Sequence, residues 1–201
     1  MALALNDKVL TETFGPSQGS ALRTKQAMMV ILGVAALILT AKIQVFIPGT
    51  PVPITMTTFG VLTIGAAYGA RLGAMTILGY LAIGAIGFDV FASSSAENAG
   101  LTYMMGGTGG YLIGYVLAAF ALGFAARKGW DRNVVLMGLA MLIGNALIYV
   151  PGLLWLHQFA SGWEQTLAWG ITPFLIGDAL KLGLAALLVP GLWKMIGDAR
   201  Q

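Results

Sequence analysis

The sequence is a succession of apolar runs, each long enough to cross a bilayer, and this restricts its fold more than any other feature. A span needs about 20 apolar residues of helix. The run that organises the rest is 170–193, GITPFLIGDALKLGLAALLVPGLW, which carries Asp178 and Lys181 in its middle. A charge near the centre of a membrane helix costs at least about 2.5 kcal/mol on insertion scales. Three residues apart on a helix, the two side chains leave nearly the same face. Either they form an ion pair that only locks helix packing, or they line a polar pocket. An intramembrane charge marks a functional site by default, which favours the pocket.

Only 9% of the 201 residues are charged and 58% are hydrophobic, with a mean hydropathy of +0.83. Soluble domains carry about 25% charged residues, so the chain reads as an all-α, polytopic membrane protein with no hidden soluble domain. Its 28 glycines suit helices that approach each other closely. With no cysteine, disulfides and thiolate chemistry are excluded. A net charge of +3 does not suggest a nucleic-acid partner.

Residues 1–24 are polar and lack the apolar stretch of a signal peptide, which predicts a cytoplasmic tail. Residues 25–195 then form one transmembrane domain, with six spans expected at 27–47, 54–70, 72–90, 109–126, 134–159 and within 170–193. In the first span the small residues Ala36 and Thr40 are four apart, a spacing that lets a neighbouring or partner helix approach. PGTPVPITMTTFG (48–60) follows as a stiff loop, with Pro53 suited to a first helical turn. The hydroxyls of Thr55, Thr57 and Thr58 either turn inward to a ligand or cap the helix. Arg71 is expected to turn the chain between the second and third spans.

The longest polar connection, FASSSAENAGLTYMMGGT (91–108), has the length of a lid or binding loop. It runs into Thr108, Gly109, Gly110 and Tyr111, where a glycine-rich helix start exposes N–H donors and admits a ligand closely. No Gly-Lys-Ser/Thr follows, so no nucleotide is expected here. In the fifth span, which is either tilted or broken near Pro151, Asn145 and Tyr149 share one face and could bond a ligand or another helix. His157, near its end, reads as an interfacial residue. The loop 160–165 leads into the sixth span.

Six spans put both termini on one side. With the termini inside, Lys8, Arg23, Lys25, Arg71, Arg127, Lys128, Arg132, Lys194 and Arg200 are cytoplasmic, nine of the 11 basic residues. Lys42 and Lys181 fall within spans, and Glu97 and Glu164 lie outside. The bias of Lys and Arg to the cytoplasmic side fixes this orientation. It opens the Asp178/Lys181 face outward, as uptake requires.

Four segments together resemble the BioY family: the small-residue first helix, PVPITMTTF at 51–59, GGTGGYLIGY at 106–115 and GDALK at 177–181. The resemblance covers nearly the whole chain after the tail. Where the family commonly has Gly-Pro-Thr-Gly-Gly-Tyr, this chain has Gly107 in place of the proline. The resemblance implies the S-component fold and high-affinity capture of biotin for an energy-coupling factor (ECF) transporter of the bacterial inner membrane. It also implies a transmembrane T component and two ATP-binding-cassette ATPases as partners, with no cofactor on this chain.

Biotin presents a carboxylate, two ureido N–H donors, a ureido carbonyl and an apolar thioether ring. On that reading Asp178 accepts a ureido N–H, and Lys181 takes either the carboxylate or the ureido carbonyl. Phe59, Tyr111 and Tyr149 are candidate walls, and Asn98 or Asn145 could supply an amide. Two rival classes compete. An intramembrane aspartyl enzyme would need Asp89 and Asp178 to share a proton, against an offset of about 12 Å of helix. A self-sufficient facilitator or channel would need no partner. The chain has no nucleotide motif, so accumulation would draw its energy from the partners, docked near Ala36 and Thr40.

Overall fold

A glycine folds the longest helix in two. In the computed structural model, which describes residues 8–95 and 97–198, α1 (Gly19–Lys42) leads into α2 (Thr57–Ala85). Inside α2, Gly69 has φ 79° and ψ 170°, a conformation only glycine adopts without strain. The arms on either side fold back on each other: a Cβ on Gly73 would lie 3.2 Å from the Cα of Gly65. α2 therefore supplies the second and third spans as a hairpin. Its turn is at Gly69, two residues before the expected Arg71, because the reversal needs a positive φ rather than a charge. The arms are roughly 18 and 24 Å long, short of the ~30 Å hydrocarbon core.

The remaining helices are α3 (Gly100–Met104), α4 (Gly109–Arg127), α5 (Val134–Leu156), α6 (Trp163–Gly170) and α7 (Leu175–Asp198). With α2 counted once and α6 taken together with α7, five segments among the described residues are long and apolar enough to cross a membrane. α4 is the central helix, with 61% of its apolar window buried against 22% for α1. It packs mainly on α2 and α5. Glycine allows this: a Cβ on Gly123 would lie 2.0 Å from the Ala70 nitrogen, and one on Gly110 would lie 2.2 Å from the Pro151 carbonyl. α1 leans mainly on α2 and leaves Ile31, Leu32 and Leu39 exposed.

Several boundaries differ from the sequence reading. α1 starts at Gly19, and residues 8–18 before it pack on the bundle: Val9 is fully buried against Gly69, and Glu12 pairs with Arg127 at 2.7 Å. Two-residue strands β1 (Gln44–Val45) and β2 (Ile54–Thr55) pair antiparallel and close the Pro-rich loop, so Pro53 precedes a strand instead of opening a helix. α5 runs unbroken through Pro151. The expected loop before the sixth span is partly helical, as α6. A 3-10 turn at Thr172–Phe174, set by Pro173, then separates α6 from α7. Asp178 consequently stands in the first turn of α7, not mid-span. There the helix dipole and free N–H groups favour a carboxylate.

Candidate functional site

At the end of the bundle opposite the Gly69 turn, Lys181 ties α7 to the start of α2. Its Nζ donates to the Thr55 carbonyl at 2.7 Å, to Asp178 Oδ1 at 3.0 Å and to Thr58 Oγ1 at 3.2 Å. All its protons are thus engaged. The other carboxylate oxygen of Asp178 accepts a short hydrogen bond from the Tyr149 hydroxyl on α5. Asp178 is only 7% exposed, and its charge has a cation and a hydroxyl donor, as a buried carboxylate requires.

Above this network lies a cavity of about 50 Å³, the volume of a few waters. Its floor carries Lys181, Tyr149, Thr58 and Thr55; aromatic walls come from Tyr111, Tyr115, Phe174 and Tyr80. Val52 and Pro53 of the Pro-rich loop, and Phe91, Ala92, Tyr103 and Thr108 of the 91–108 segment, complete it. That segment is held by aromatic contacts. Phe91 stacks on Tyr103 at 4.9 Å and meets the edge of Tyr80 at 5.2 Å. Tyr103 donates to the Ala92 carbonyl at 2.5 Å, and Tyr80 to the Val90 carbonyl at 3.2 Å.

The expected site residues separate into groups. Lys181, Tyr149, Thr58, Thr108 and Tyr111 meet at the cavity. Asp178 lies behind it, lining a narrower cleft with Asn145, Phe59 and Lys181, so it acts on the cavity through Lys181 and Tyr149. Gly109 and Gly110 are outside it. Their missing side chains admit Met104, Trp155 and Pro151, so they serve helix packing and not ligand approach. Asn98 is exposed in a turn whose N–H and carbonyl bond Ser95, and it does not reach the cavity. Of the proposed docking pair, Ala36 is exposed, whereas Thr40 is half-buried, bonds its own helix at Leu37 and packs on Gly60. Arg200 lies outside the described residues.

Sequence reasoning missed Tyr80, Phe91, Tyr103, Tyr115 and Phe174. Only Tyr115 carried a signal, standing four residues after Tyr111 on one helical face. It also placed Lys42 within a span. Lys42 ends α1, pairs with Asp89 at 2.6 Å and donates to the Phe91 carbonyl at 3.0 Å. Asp89 and Asp178 therefore each have their own lysine, and the two do not form an acid dyad. A further buried acid, Asp131, sits in the turn between α4 and α5 at 1% exposure. It accepts from the Trp193 indole at 2.5 Å, and burial pushes its carboxyl up to about 6.

Comparison with known proteins gives a consistent picture. The model of the BioY family matches residues 13–198. A protein of Pyrococcus horikoshii named "Probable biotin transporter BioY" is 36% identical over 138 residues, 69% of this chain and 78% of its own length. The "Biotin transporter BioY" of Thermotoga maritima is 33% identical over 96 residues, 48% of this chain and 55% of its own. The crystal structure of the S-component for biotin from an ECF-type ABC transporter superposes with a TM-score of 0.76 at 24% identity, covering 89% of this chain and 95% of that one. At that identity the superposition speaks for the fold.

Proposed function

The chain belongs to the BioY family, and on that premise we propose that its outer cavity captures biotin for uptake by an ECF transporter. The observation that carries this reading is the Lys181–Asp178–Tyr149 network beneath an aromatic cavity. The Tyr149 hydroxyl donates its hydrogen bond to Asp178, which leaves its oxygen lone pairs to accept from a ureido N–H. Lys181 can offer an N–H to a ligand oxygen by releasing Thr58, its longest bond. The aromatic walls suit the apolar ring. The Pro-rich loop and the 91–108 segment both line the cavity, so parting of these two elements is the route by which a bicyclic ligand would enter.

The positive-inside rule supports cytoplasmic termini in the inner membrane of a bacterium. A chain without a nucleotide motif then draws on an energy-coupling module, a T component with two ATP-binding-cassette ATPases. Most of α1 is exposed, which favours its outer face around Ala36 as the docking surface. The self-sufficient facilitator lacks any supporting observation of its own.

The test is purified protein in mild detergent, titrated with labelled biotin and with other vitamins. Tight, selective retention of biotin is expected, and Asp178→Asn should weaken it about tenfold, or ~1.4 kcal/mol. Equal retention of unrelated vitamins would sink the reading. Ala36→Trp should cost copurification of the T component while leaving the biotin isotherm unchanged.

A further inference from the structure

At the opposite end of the bundle, the start of α1 and the α2 turn enclose a second cavity of about 390 Å³. Its rim is basic. Arg23, Lys25, Arg71 and Arg127 line it beside a single acid, Glu12, so four positive charges less one leave +3. Lys25 donates to the carbonyls of Thr11, at 2.7 Å, and Phe14, and Arg127 pairs with Glu12. Arg23 and Arg71 are exposed, and neither has a hydrogen-bond or ion-pair partner among the described residues. Half-buried Tyr68 also lines the cavity, deeper than the rim, with its hydroxyl turned toward Gly33 of α1.

Below this rim the walls become apolar: Met29 and Val30 from α1, Leu72 and Met75 from α2. Met75 is 50% exposed on a membrane-spanning arm, so the cavity is continuous with the surface that faces acyl chains. A site for a free aqueous anion has no use for such a floor. A cavity that is cationic at the membrane boundary and apolar one turn deeper matches an amphipathic anion. Basic pockets between membrane helices bind anionic headgroups for this reason.

We propose that this cavity binds an anionic phospholipid. Its phosphate sits between Arg23 and Arg71, and its chains run over Met29, Val30, Leu72 and Met75. The inference uses only the boundary position of this end. Assignment to the inner leaflet rests on the orientation proposed above.

The experiment is native mass spectrometry and thermal shift on the full chain in mild detergent, with added phosphatidylglycerol, phosphatidylcholine or inorganic phosphate. Phosphatidylglycerol should be retained and should raise the melting temperature, while phosphatidylcholine and inorganic phosphate should not. The double variant Arg23→Gln/Arg71→Gln, both exposed positions, should bind phosphatidylglycerol about thirtyfold more weakly, at roughly 1 kcal/mol per basic residue. Its biotin isotherm should match that of the parent chain. Equal effects of phosphate and phosphatidylglycerol would overturn the lipid assignment, as would unaltered lipid retention in the double variant. So would loss of partner copurification in that variant with lipid retention intact, which would make the rim a protein-docking surface. Biotin is titrated in the same samples, so failure of the uptake reading and failure of the lipid site register separately.

Discussion

Two lysine–aspartate pairs stand at the end of the bundle opposite the Gly69 turn, and the one with the shorter contact is the more exposed. Lys42 and Asp89 meet at 2.6 Å with side chains 36% and 51% exposed. Lys181 and Asp178 meet at 3.0 Å with side chains 12% and 9% exposed. Water and ions screen the first pair, and exposed pairs contribute about 0–1 kcal/mol. The second pair is shielded, and removing one partner strands a charge at a cost of about 3–5 kcal/mol. Burial, not separation, ranks them. On the proposed reading the buried pair is the one that serves the ligand, because a ligand in the cavity would have to replace its hydrogen bonds.

The largest expected effect comes from breaking the inner pair. Lys181→Ala leaves Asp178 with Tyr149 alone and should lower stability by about 3–5 kcal/mol. Biotin affinity should fall by at least tenfold, or ~1.4 kcal/mol, read by thermal unfolding and a binding isotherm in detergent. Asp178→Asn combined with Lys181→Met removes both charges together. That variant should recover much of the stability and none of the affinity. Recovery of affinity along with stability would reduce the pair to a packing device.

How much of this was legible in the sequence follows from the same contrast. Asp178 and Lys181 stand out because charge is rare in an apolar run, and their three-residue spacing gives one face without further information. The aromatic wall was illegible for the opposite reason. In an apolar chain Tyr80, Tyr103 and Phe174 look like every other packing aromatic, and only tertiary contact separates a cavity wall from a core. The six-span count held because hydrophobic length is a local property. The turn at Gly69 was displaced to Arg71 because charge is a visible boundary signal, whereas a positive φ appears only in the folded backbone. Gly109 and Gly110 erred similarly: a glycine that admits a ligand and one that admits a helix read the same. The depth of Asp178 was misjudged because Pro173 was not weighed as the break that starts α7.

Asp131 sharpens the comparison with a buried acid that has no lysine. Its raised carboxyl means the native state holds the proton more tightly than the unfolded chain. Stability should therefore decline as pH rises from about 4 to about 6. Asp131→Asn keeps an oxygen for the Trp193 indole and removes the desolvated charge. Melting temperature followed across that range should flatten in the variant, with biotin affinity unchanged. An equally steep profile would mean that another group titrates.

The smallest effect should come from the outer pair. The hydrogen bonds from Lys42 and then Ser94 hold the Asp89 carboxyl below its ordinary range. A lowered carboxyl contributes stability that is complete above the unfolded value and is lost as pH falls through the folded one. The window therefore lies below about pH 4, away from that of Asp131. At neutral pH, Lys42→Ala should cost no more than about 1 kcal/mol, and high salt should erase part of that, since a Debye length near 3 Å at about 1 M screens exposed charges. Biotin affinity should stay within about twofold of the parent, because the Phe91 carbonyl that Lys42 also holds belongs to a segment fixed independently by the Phe91–Tyr103 stack. A tenfold loss of affinity in Lys42→Ala would overturn this ranking. It would mean that the rim pair sets how the 91–108 segment closes, and that position at the mouth outweighs burial.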